Sequence, residues 1–159
     1  MESIWQFAQG LWHQLRLRQA LMRFQGEFQQ PACLLLALMW LVAHERAPTA
    51  ELLRALRDEA EKWENETMAP LRRLVRDTRV EPDQADWHQA LLRAQLEGEK
   101  VLLARLQTLI EAQPLASKSV SLDGLVLQAL PEIGFCEGQT QLLAELVEAW
   151  SACHRPGSD

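Results

Sequence analysis

Arg72, Arg76 and Arg79 recur at i, i+4 and i+7, with Arg73 to one side, so on a helix they form a basic stripe. Guanidinium forks hold carboxylates bidentately, and such a stripe suits an acidic segment of another protein. The same spacing also fits a solvated helix face with intrahelical ion pairs, and Asp77 partly neutralises it. The second unusual set is aromatic: the chain has six tryptophans and no tyrosine. Trp5, Trp12 and Trp63 could line a groove for an apolar helix or a small ligand, where they are not simply part of the core.

Other chemistry lacks its residues. A metal site needs clustered His, Cys or carboxylates, and His13, His44, His88 and His154 stand singly. In "DWH", 86–88, the carboxylate and imidazole would point about 200° apart on a helix. No G-x-S-x-G turn presents a nucleophile, and "GFCEG" has the wrong spacing for a phosphate-cradling loop. Cys136, between glycines ahead of a helix start, is the one thiol whose pKa a helix dipole could lower, although a loop cysteine packed beside Phe135 is the plainer reading. No named reaction, cofactor or metal is supported, and the expectation is a protein without catalysis.

The elements that would carry these residues read as helices throughout. "ACLLLALMWLVA", 32–43, is uncharged, too short to span a membrane, and Leu-rich rather than β-branched, so residues 31–44 are predicted to form a hub helix enclosed by others. Pro31 suits its first position. Ser3 and Gln6 form a capping-box pair ahead of Ile4, Phe7, Leu11 and Leu15, in a segment that could run on to Gly26. Thr49 is a predicted N-cap with Leu52, Leu53 and Leu56 facing inward. The next segment places Trp63, Thr67, Leu71, Leu74 and Val75 on one inward face, with Pro70 kinking or restarting it. A long helix spans 84–113, and two short ones fall near 122–131 and 139–152.

This pattern predicts an all-α, single-domain bundle of about six to seven helices. Its parts are a bundle over 1–113, a linker at 114–121 containing "SKSVS", and a C-terminal helical pair over 122–159 packed on the bundle. The formal net charge is −6, which disfavours nucleic acid as partner, and the imbalance lies in residues 80–159, with 5 Lys/Arg against 12 Asp/Glu. Residues 1–79 hold 11 against 10. Three unpaired cysteines and an N-terminus without a signal pattern predict the cytoplasm. The functional expectation is a protein–protein interaction or regulatory protein with no membrane role; the alternative is a nucleic-acid- or ribosome-associated accessory protein using the stripe at 72–79.

"IWQFAQGLW" at 4–12, "LLLALMWL" at 34–41, and the W-x6-P-L-R spacing of Trp63, Pro70, Leu71 and Arg72, followed by Arg73, carry a resemblance. Over roughly residues 3–80 the chain resembles an uncharacterised family of proteobacterial proteins of about this length, known as a conserved domain of unknown function. The resemblance implies a helical fold and no particular activity, substrate or cofactor. Where that family has a Pro-Gly turn between its first two helices, this chain has Leu15 and Arg16, which leaves one helix or two open over 3–25. Where it has an Asn before the Leu run, this chain has Cys33.

Overall fold

The computed structural model describes residues 1–78 and 81–154. Helix α1, Ile4–Leu11, opens with the capping box that its sequence announces. The Ser3 hydroxyl accepts from the Gln6 amide N–H at 3.1 Å, and the Gln6 side-chain oxygen accepts from the Ser3 N–H at 2.9 Å. The chain breaks at 12–14 and restarts as α2, Leu15–Glu27, so the N-terminal segment is two helices. Gly26 does not stop α2; the turn comes at Gln29, whose φ of 54° is left-handed.

Helix α3, Ala32–Ala43, is the hub, with Pro31 at the N-cap rather than the first helical position. Every residue from Ala32 to Leu41 is buried, because α3 touches α1 and α2 as well as the later helices α4 (Ala50–Trp63), α6 (Ala85–Glu111) and α7 (Leu122–Ala129). The Thr49 hydroxyl caps α4 by accepting from the Leu52 N–H at 3.1 Å. At the far end α8, Glu137–Cys153, packs along α2, and Leu142, Leu146 and Trp150 join the same core as α7's Leu122 and Val126. Arg57 of α4 ties this end down: its guanidinium grips Glu132 at 2.9 and 3.1 Å and donates to the Ala129 carbonyl at 3.2 Å.

The fold is all-α, with one small addition. Within the segment read as a linker, β2 (Ala116–Ser117) pairs antiparallel with β1 (Arg46–Ala47), and the Lys118 N–H donates to the Glu45 carbonyl at 2.9 Å. Backbone polar groups there find partners in one another. Two residues per strand are too few to show a period of two in the sequence. Among the described residues, no helix is long and apolar enough to cross a membrane.

The expectation for 63–78 needs correcting. Between α4 and α5 (Ala69–Asp77) the chain makes a π-helical turn, Glu64–Met68. The wider turn admits Pro70, which lacks an N–H and would crowd the carbonyl four residues back in a continuous α-helix. It also adds a residue to the turn, rotating everything after it by roughly 100° from the α-helical reading. Hence α5 buries none of its residues, Leu74 is 52% exposed, and Arg72 points inward, its side chain only 24% exposed.

Candidate functional site

Alternate faces of α1 do different work. Ile4, Phe7 and Leu11 enter the core, while Trp5, Gln9 and Trp12, at i, i+4 and i+7, face outward toward α6. From α6, Leu96, Glu99 and Leu103 answer at i, i+3 and i+7, and α3 supplies a floor of Cys33 and Leu36. Together they enclose an open groove of about 390 Å³. Trp12 is 41% and Leu96 46% exposed, and exposed Leu92 continues the apolar wall one turn along α6. The protein's own cations sit over the rim rings: Lys100 Nζ lies 5.0 Å from the Trp5 centroid and the Arg18 guanidinium 5.9 Å from that of Trp12.

Beneath the groove lies a polar group drawn from several elements. Arg72 of α5 donates to Glu64 on the π-helical turn. The Gln25 amide oxygen, turned toward Arg72, accepts from its Nε and Nη2 at 2.9 and 3.1 Å. Glu99 lines both this cluster and the groove above it, as does Cys33. Burial pushes the Glu99 carboxyl above the usual carboxylate range; Arg72 opposes that rise and the Glu64 charge adds to it. Burial likewise pushes the Cys33 thiol well up, which keeps it protonated and unreactive.

The sequence-predicted residues divide accordingly. Trp5 and Trp12 line the groove, whereas Trp63 does not: its Nε1 donates to the Gly98 carbonyl at 3.0 Å and its ring lies 4.5 Å beneath the Arg105 guanidinium. Of the arginines read as a basic stripe, only Arg72 departs from an exposed position among the described residues. Arg72 is engaged internally, Arg73 and Arg76 are exposed, with Arg76 3.9 Å from Asp77, and Arg79 lies outside the described residues.

His44 stacks on Trp40 and His154 on Trp150, at centroid distances of 4.3 and 3.7 Å, and burial lowers the His154 pKa. Cys136 is half-buried immediately before α8. Among the described residues, no three His, Cys, Asp or Glu side chains gather as a metal site would require. Sequence reasoning missed Glu99. Its signal was a lone acid on the stripe Leu92, Leu96, Glu99 and Leu103, which is otherwise apolar at helical spacing.

Residues 3–106 match the model of a family described as "Protein of unknown function (DUF2390)", and the chain belongs to that family. The match runs beyond Trp63 and the arginines into α6, so it takes in every side chain that lines the groove. No curated protein and no solved structure matches the chain.

Proposed function

From a groove built wholly within the part of the chain that defines its family, we propose that the protein is a non-catalytic cytoplasmic binding protein that docks a helical segment of a partner protein between α1 and α6. The observation that carries this reading is the open apolar channel between Trp5, Trp12 and Leu96. Its volume of about 390 Å³ lies within the range of roughly 300–1,000 Å³ usual for binding pockets. Its walls are two helices, and exposed Leu92 lies one turn before Leu96 on α6, a form suited to the apolar face of a third helix. Tryptophan is enriched where binding energy concentrates, because a rigid indole contributes a large contact area with little lost freedom.

Site-specific photo-crosslinking in the native cell tests this. A photoreactive residue at Gln9, on the groove, is expected to give a discrete adduct whose linked peptide is an apolar-faced helical segment, and Leu96→Asp is expected to abolish it. The same residue at Glu51, on α4, serves as the control. Equal adducts from both positions, or a Gln9 adduct indifferent to Leu96→Asp, would refute the proposal.

A further inference from the structure

We infer that the segment taken by the groove carries a basic side chain, lysine or arginine, between its apolar anchors, and that the Glu99 carboxylate is its counter-ion. This rests on the groove being the docking site and adds the chemistry of what docks. Among the described residues, Glu99 is the one carboxylate lining the groove. Arg72, the cation whose charge acts on Glu99, is already engaged by Glu64 and by Gln25. Glu99 receives no hydrogen bond among the described residues and lines the groove; when it is ionised, Glu64, Arg72 and Glu99 together carry one net negative charge.

At the rims, Lys100 and Arg18 already lie over the Trp5 and Trp12 rings, so a partner's cation is left the floor carboxylate rather than an indole face. An acidic segment, by contrast, would bring its carboxylates against Glu99 at the groove floor. The partner's basic stem would lie along the apolar wall with its charged head at the floor.

A cation favours the ionised carboxyl, so where Glu99 is protonated, binding releases that proton, and affinity falls as pH falls through the raised Glu99 pKa. The other ionisable groups at the floor and rim are Glu64, Arg72, Cys33, His13, Lys100 and Arg18.

The test uses the full chain and three small probes, phenylpropylamine, phenylpropanol and phenylpropanoate, followed by tryptophan fluorescence. The amine is expected to bind about tenfold tighter than the alcohol, the size of one charge-assisted hydrogen bond, and the carboxylate more weakly than either. In Glu99→Gln the amine and alcohol are expected to bind equally. Equal binding of amine and alcohol to the parent overturns the charge inference and leaves the groove standing. Failure of both to bind removes the groove and the inference with it. An amine preference that survives Glu99→Gln assigns the charge elsewhere and overturns the inference. The comparison of amine with alcohol on the parent needs no variant, so it holds even if Glu99→Gln fails to fold.

Discussion

Replacing Leu38 by Ala removes part of a side chain that has no solvent exposure, on a helix surrounded by α1, α2, α4, α6 and α7. Leucine-to-alanine changes in cores cost about 2–5 kcal/mol, the sum of lost transfer energy and the cavity left behind, and the cost is highest where neighbours cannot collapse inward. Contact with helices on every side restricts such collapse, so we expect about 4 kcal/mol. For a chain of this size that lowers the melting temperature by roughly 8–16 °C. The control is Leu96→Ala, the same chemical change at a half-exposed position on the groove, expected to cost below about 1 kcal/mol. Both would be followed by circular dichroism on heating and by urea titration. If Leu38→Ala melts within about 3 °C of the parent, or if the two variants are equally destabilised, α3 is not the enclosed hub described here.

Gly98 lies in the middle of α6, where alanine would ordinarily stabilise by about 1 kcal/mol, but a Cβ there would stand 2.6 Å from the buried Met68 sulfur. Overpacking of about 1–3 kcal/mol outweighs the gain, so Gly98→Ala should lower the melting temperature by a few degrees; a rise would show that Met68 moves freely. Partial desolvation against the stacked Trp150 ring holds the His154 pKa below its ordinary 6.5, so its small contribution to stability is present above that pH and is lost as pH falls toward the folded-state value. The urea midpoint of the parent is therefore expected to fall on acidification through that range and to fall less in His154→Phe, and equal falls would count against this assignment. Ellman's reagent should label Cys136 and Cys153 in the native protein and reach Cys33 only after unfolding, and fast labelling of all three would show the floor of the groove to be open.

The hub was legible because an uncharged run leaves no solvated face, and the caps at Ser3 and Thr49 were legible because capping is local chemistry. The break between α1 and α2 was not, since Trp12, His13 and Gln14 include neither proline nor glycine. Arg72 was misplaced for a geometric reason. Helical periodicity carries phase forward along the chain, and a π-helical turn, which no residue type specifies, resets that phase at Glu64–Met68. The groove was half visible: Trp5 and Trp12 share a face by spacing, but their partner wall lies about ninety residues away on α6, and only folding brings Leu96 and Glu99 opposite them. Trp63 has the same residue type and a different fate, decided by a carbonyl at Gly98 that no local pattern reveals.

The most direct test of the groove as the binding site is a two-dimensional NMR titration of the uniformly nitrogen-15-labelled chain with phenylpropylamine, reading the indole N–H signals. The Trp5 and Trp12 signals are expected to move together and to saturate with one affinity, while Trp63, held to the Gly98 carbonyl, stays in place. Shifts centred on Trp63 or on exposed Trp87, with Trp5 and Trp12 unmoved, would contradict it.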